Sequence, residues 1–386
     1  MASATTQNQA TASGPSDGVQ IPAHMRAWTH SRGGAPGTVL QLTNEKATPA
    51  KPTGNNLLIK VSHCALHPGA SLLMCLVPMI FRKKPATAET DFAGVVIAVG
   101  KEGESSSTED ADRHFQPGSE VFGSLEVPDH LKTGQGALSE YLLVKPSAVA
   151  SKPSNMSLAD AAGLPVSGGT ALALFDAAAL KPGQKVLINA CCGGIGHYTT
   201  QLVRNAIGNT GKIIGVCSAA NAEVAKKLGC DETIDHHTEK DGKTLNQRLA
   251  EAHAGGNAFD CIIDCHGSQL LWHGCAGFLK PANPYVSVGP KFTSMSALGA
   301  LATLPQMVLN MLTPTWLGGV PRPYRQVTAF ADTKVLERLR KLAGDEAVLR
   351  TEIGGSFEMK DALRAYEALL GGHARGKIVV QVAQGA

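Results

Sequence analysis

At 386 residues with 43% hydrophobic side chains, the chain is long enough for two cores, since a single core rarely grows beyond about 250–300 residues. A formal net charge of +3 without any long basic run removes the electrostatic case for a nucleic-acid partner and leaves a small molecule as the better ligand. Nine cysteines, an odd number spread from Cys64 to Cys275 with no secretory signal before them, argue against a disulfide framework and for a reducing, cytoplasmic compartment.

Residues 1–24 are rich in Ala, Thr, Ser and Gln, with neither an apolar h-region nor an arginine, and read as a disordered tail. From Met25 to Val149 short apolar runs alternate with Gly, Pro and polar clusters. Strands are predicted over Asn56–Val61, Phe92–Val99 and Leu138–Val144. Between them, Lys101–His114 is acidic and serine-rich and reads as a solvated loop. After Pro153 the rhythm becomes strand, helix, strand, the mark of a parallel sheet. Its buried strands are Val186–Asn189, Ile213–Cys217, Cys261–Asp264 and Tyr285–Val288. Helices follow the first two, one through Tyr198, Leu202, Val203 and Ile207, the other over Ala222–Leu228.

Met295–Val320 is the longest apolar stretch. Pro305, Pro314, Gln306 and Asn310 interrupt it, so it makes no clean membrane span, which needs about twenty residues. It reads as two short helices around a prolyl break, which cap a hydrophobic pocket, pack into a homodimer or touch a membrane surface. A helix over Met359–Leu370 and a strand over Lys377–Val382 end the chain and return it to the first domain.

The most informative segment runs from Lys185 to His197, where a buried strand enters a glycine-rich turn that opens a helix. Gly193 and Gly194 let the backbone turn and approach a pyrophosphate, and Gly196 lets helix and strand pack closely. The helix N-terminus, from Ile195 onward, offers free N–H groups to phosphates. NAD-specific sites carry a carboxylate at the end of the next strand. Here that strand ends in Cys217-Ser218-Ala219-Ala220-Asn221, where Ser218 and Asn221 can donate hydrogen bonds to a 2′-phosphate, so NADP(H) is the expected cofactor. Ser218 is also well placed to cap the following helix.

Together with that turn, Glu89-Thr-Asp-Phe-Ala-Gly-Val, Gly136-Ala-Leu-Ser-Glu-Tyr, Leu164-Pro-Val-Ser-Gly-Gly-Thr-Ala, Leu228-Gly-Cys-Asp-Glu-Thr-Ile-Asp and His373-Ala-Arg-Gly-Lys-Ile-Val resemble the medium-chain dehydrogenase/reductase superfamily. The likeness is to its zinc-independent quinone-oxidoreductase and reticulon-4-interacting-protein-like branch and covers nearly everything after Met25. It implies an α/β fold with two domains. Residues 25–155 and 325–386 would form a GroES-like, mainly β catalytic domain. Residues 156–324, with the apolar insertion 295–320, would form a Rossmann domain with a doubly wound parallel sheet. It further implies roles for His236 beside the adenosine ribose, for Val288 and Gly289 near the nicotinamide, and for Lys377 at the cofactor cleft. A homodimer is a family expectation.

Zinc members hold their metal at positions corresponding to His67, Thr90 and Val166, which do not make a ligand set, and Lys101–Leu131 lacks the cysteines of a structural zinc lobe. A metal-free chain suits reduction of an already electrophilic double bond or quinone. His67 is the candidate for stabilising charge on the substrate oxygen, with ordinary cleft packing or a shifted role as the other readings. Ser71–Phe81 contains no tyrosine, so water is the expected proton source. Leu72, Leu73, Met74, Leu76, Met79 and Ile80 line an apolar pocket or belong to the core. Cys191 and Cys192, at the helix N-terminus, are expected to have lowered pKa values or to fill small-residue positions. The leading reading is an NADPH-dependent, zinc-independent reductase of small hydrophobic electrophiles, enones or quinones. An accessory enoyl reductase or dehydrogenase of secondary metabolism, and an NADPH-binding protein with little turnover that acts through partners, are the alternatives.

Overall fold

Strands form where the sequence is apolar on both faces. Lys185–Asn189 and Cys261–Asp264 are buried almost throughout, and each lies between two parallel neighbours. The computed structural model describes residues 21–100, 115–237, 242–291, 297–372 and 374–383. The readings of residues 1–20 in the tail, of the Lys101–His114 loop, and of Met295, Ser296 and His373 lie outside the described residues.

One sheet has six parallel strands, ordered Glu232–Asp235, Lys212–Cys217, Lys185–Asn189, Cys261–Asp264, Tyr285–Ser287 and Tyr324–Gln326. In chain order this is 3-2-1-4-5-6, the doubly wound arrangement, with its switch point between the strands Lys185–Asn189 and Cys261–Asp264. The helix Gly196–Ile207 follows the first strand closely because Gly196 has no Cβ; one there would lie 2.0 Å from the Ala190 carbonyl oxygen.

The second sheet is centred on Leu57–Leu66, which pairs antiparallel with Asp91–Val99, Tyr141–Val144 and Lys377–Gln381. Glu120–Ser124 and Val149–Ser151 extend it on one side, and Ile353–Glu358, parallel to Lys377–Gln381, on the other. The last strands of the chain thus share a sheet with its early strands. A small sheet of His24–His30, Gln41–Ala47 and Ala86–Thr87 flanks it. The fold is α/β, with one mixed and one wholly parallel main sheet.

Two helices not anticipated from sequence join these parts. Pro165–Ala178 contains Gly168 and Gly169, which lower helix propensity in isolation. Their bare backbone admits Leu339 and Val335 from the helix Thr333–Ala343; a Cβ on Gly168 would meet Leu339 at 2.8 Å. Tertiary packing outweighs local propensity here.

The prolyl break expected in this apolar stretch falls at Pro314 and not at Pro305. A single helix runs Ala297–Leu312 with Pro305 inside it, followed by a 3₁₀ turn at Thr315–Leu317. Proline removes one backbone donor from the helix. Packing of this helix on Pro68–Leu76 and on the edge strand Tyr324–Gln326 sustains it. Leu304, Val308, Leu312, Trp316 and Leu317 remain exposed.

Gly196→Ala is expected to lower stability by about 1–3 kcal/mol, because the added methyl meets a backbone carbonyl that cannot move aside. Gly37→Ala, with nothing within 4 Å of its added Cβ, should leave the urea midpoint unchanged or slightly raised.

Candidate active site

A cleft of about 1210 Å³ opens at the carboxyl ends of the strands Lys185–Asn189 and Cys261–Asp264, between the two main sheets. It exceeds the roughly 300–1,000 Å³ of a site for one drug-sized ligand. Its lining includes His67, Gly193, Gly194, Ile195, Ser218, Asn221, His236, Val288, Gly289 and Lys377. Gly196, the remaining residue singled out from sequence, lies beneath the turn against Ala190 and serves packing.

Ala190 opens the turn in the left-handed region, with φ at 55°, and the Gly193 N–H closes it on the Ala190 carbonyl at 2.9 Å. A Cβ on Gly194 would meet nothing nearer than 3.5 Å within the protein, so the turn presents bare backbone to the cleft. The facing wall is held by the Asp264 carboxylate. It accepts from the Asn189 side chain, the backbone N–H groups of His266, Gly267 and Ser268, and the Tyr285 hydroxyl, all at 2.7–3.0 Å.

At the end of the strand Lys212–Cys217, the Ser218 side chain makes no capping bond, so the capping role expected from sequence is absent. Asn221 likewise leaves its helix uncapped. His236 follows the neighbouring strand, its N–H donating to the Cys217 carbonyl at 3.3 Å, and His266 and Lys291 lie near enough for like-charge repulsion to contribute to the lowered His266 pKa, whose main cause is burial. Lys291 and His266 escaped the sequence reading. Lys291, two residues past the Val288-Gly289 turn, was the available signal.

The other end is apolar, lined by Leu66, Leu73, Leu125, Val127, Val166 and Phe330. Of the stretch Ser71–Phe81 only Leu73 reaches it. Met74 is buried in the core beside Trp28 and Leu138, and Ile80 is exposed, because a helix of nine residues turns only one flank to the cleft. No described residue of the helix Ala297–Leu312 lines the cleft either.

Buried ionisable groups gather at this apolar end. His67 caps the helix Pro68–Leu76: its Nδ1 accepts from the Ala70 N–H at 3.2 Å, and its Nε2 lies 3.0 Å from Thr90 Oγ1. Those partners assign the proton to Nε2, which donates to Thr90. Burial, with Lys377 and His130 nearby, pushes the His67 pKa down to about 3, so the ring is neutral. Lys377 Nζ donates to the Leu66 carbonyl at 3.0 Å and to Ser167 Oγ at 2.9 Å, and burial lowers its pKa. Burial raises Asp91 to about 6 in spite of Lys377, and raises Glu89 to about 8 in spite of a 2.6 Å hydrogen bond from Tyr366.

Of the two readings of Cys191 and Cys192, lowered pKa values do not hold. Hydrogen bonding among Cys191, Cys192, Cys217 and Cys230, together with burial, raises the Cys191 pKa. At Cys192 a hydrogen bond from Cys191 pulls down, but the bond to Cys217 and burial outweigh it and raise the pKa to about 12. At Cys217 the neighbouring Cys191 and Cys192 thiols pull the pKa down from its ordinary value, against burial.

Glu89 sets a pH dependence of stability. Its folded pKa of about 8 lies above the ordinary 4.5, so the folded chain holds a proton that the unfolded chain has released. Stability is therefore lost as pH rises through that window, with Asp91 adding to the loss at its lower end. Glu89→Gln should flatten the fall in Tm between about pH 6 and 8. An unchanged slope in the variant would remove Glu89 as its cause.

Residues 228–380 match the family model described as zinc-binding dehydrogenase. The medium chain reductase pydE of Acremonium sp is 30% identical over 380 residues, covering 93% of this chain and 99% of the relative. The trans-enoyl reductase poxH of Penicillium oxalicum is 29% identical, covering 93% and 98%. Among solved structures, the quinone oxidoreductase from Coxiella burnetii superposes with a TM-score of 0.68 at 26% identity, covering 93% of this chain and 100% of that one. A mycobacterial protein, Rv1454c, solved with NADPH, shares the fold with a TM-score of 0.68 at 20% identity, over 92% and 99% of the two chains. With a near full-length relative at this identity and a cleft at the switch point of the parallel sheet, the chain belongs to the medium-chain dehydrogenase/reductase superfamily and is a reductase of its quinone-oxidoreductase and enoyl-reductase branch.

Proposed function

We propose that this reductase uses NADPH, without a metal, to reduce the activated C=C bond of a small apolar enone or enoyl substrate. The observation that carries the reading is the division of one cleft. A glycine turn with donor and cationic groups lies at one end, and an apolar chamber around Thr90 and His67 at the other.

The turn Gly193–Ile195 and the N-terminus of the helix Gly196–Ile207 would hold the pyrophosphate through backbone N–H groups. Ser218, Asn221, His236 and Lys291 would take the ribose 2′-phosphate. No carboxylate from these positions lines the cleft to repel it. Val288 and Gly289 would bound the nicotinamide, and Lys377 would border the cofactor beside Gly376, whose N–H donates to the Cys192 carbonyl of the glycine turn. When bound, the dinucleotide supplies the hydride.

A catalytic zinc does not fit this chamber. Of His67, Thr90 and Val166, only His67 is a ligand type, and its Nδ1 already accepts from the Ala70 N–H. His67 is also a poor proton donor, because it is neutral at physiological pH and gives its Nε2 proton to Thr90. We assign the substrate-facing donor to the Thr90 hydroxyl, oriented by His67, so that it meets negative charge growing on the carbonyl oxygen. The apolar walls exclude water around that oxygen, and solvent supplies the proton that completes reduction at carbon.

Reduction of a quinone is the second reading, favoured by the Coxiella burnetii structure. NADPH and NADH oxidation against enones and quinones, with and without a chelator, tests both. Chelator-insensitive turnover preferring NADPH and an enone is expected; quinone turnover alone would move the assignment to the second reading, and loss of turnover with the chelator would overturn the metal-free one. Ser218→Asp should cut the NADPH preference about tenfold or more, equivalent to about 1.4 kcal/mol. Thr90→Val should lower kcat about a hundredfold with a smaller effect on KM.

A further inference from the structure

Three cysteines that the reductase reading does not use meet beside the cleft. Cys191 and Cys192 follow the strand Lys185–Asn189, and Cys217 ends its parallel neighbour. The register pairs Asn189 with Val216, so the two carboxyl ends finish side by side. The three sulfurs all lie within 4.8 Å of one another, those of Cys191 and Cys192 at 3.8 Å. All three thiols are free. Gly215 admits the sulfurs against bare backbone: a Cβ there would stand 2.6 Å from the Cys191 sulfur and 2.7 Å from that of Cys230.

Three thiolates on one cation at about 2.3 Å each have sulfurs roughly 3.8–4.0 Å apart, so the observed spacing needs only a slight contraction. Thiolate sets select soft cations such as Zn²⁺ and Cu⁺ over hard ones. Access exists, because Cys192 and Cys217 line the cleft while Cys191 lies buried behind them. Strand ends carry all three, so little chain entropy is lost when a cation draws them together.

We propose that Cys191, Cys192 and Cys217 form a binding site for one thiophilic d¹⁰ cation, with Cys230 as an adjoining sulfur, separate from the chamber at His67 and Thr90. The site stands apart from the choice of cofactor or substrate.

The test titrates the reduced, full-length, metal-stripped protein with Cd²⁺ under anaerobic conditions, following the cadmium–thiolate charge-transfer band. The expected result is a band that saturates at one Cd²⁺ per chain and is lost in Cys217→Ser. It should be retained in Cys275→Ser, which changes a buried thiol in another core cluster. On the unmodified protein, Cd²⁺ should also protect Cys192 and Cys217 from alkylation, read by peptide mass spectrometry, which keeps the test independent of any variant's folding. A band that climbs without a break at one equivalent, persists in Cys217→Ser, or brings no protection of these two cysteines would overturn the proposal.

Discussion

The Lys377 ammonium, buried where the two main sheets meet, is the constraint around which the cleft is arranged. A buried cation is costly unless its donors are satisfied and a counter-charge lies near. Lys377 reaches the Leu66 carbonyl of the central antiparallel strand and the hydroxyl of Ser167 on the helix Pro165–Ala178, with the Asp91 carboxylate as counter-charge and the protonated Glu89 beside it. Asp91 in turn accepts from the Val166 N–H, and the Gly376 N–H donates to the Cys192 carbonyl, so the glycine turn is drawn into the same arrangement. Lys377 and its neighbour Gly376 thereby tie the central antiparallel strand, the helix Pro165–Ala178 and the glycine turn together around the cleft. Nearby, burial holds Glu89 protonated at neutral pH and His67 neutral, which keeps the net buried charge low.

A second carboxylate plays the corresponding part inside the parallel sheet. Asp264, at the end of a central strand, gathers five hydrogen bonds from three segments, which shapes the wall opposite the glycine turn. The division of labour among the glycines follows. Gly193 and Gly194 leave backbone bare toward the cleft, whereas Gly196 is needed for contact with Ala190.

Much of this was legible in the residues. The strand–turn–helix context of Gly193, Gly194 and Gly196 located one wall of the cleft, and the missing carboxylate near Ser218 marked one of its ends. The strand Cys261–Asp264 was read with its observed bounds, and six others within three residues at either end. What stayed hidden depends on distant partners. The helix Pro165–Ala178 packs its Gly168 and Gly169 against Leu339 and Val335, far along the chain, and Pro305 sits in a helix that packs on neighbouring elements. The engagement of both His67 nitrogens, the gathering of Lys291 and His266 with His236, and the meeting of Cys217 with Cys191 and Cys192 are long-range events. No local pattern encodes them.

The central claim is that one cleft brings a nicotinamide to the chamber beside Thr90 for direct transfer to carbon. Its most direct measurement uses NADPH deuterated at the transferring position of C4 with an α,β-unsaturated ketone, the product being analysed by mass spectrometry and NMR. One deuterium at the β-carbon, delivered from a single face of the nicotinamide, is the expected result. Reduced product without deuterium at that carbon would contradict the account.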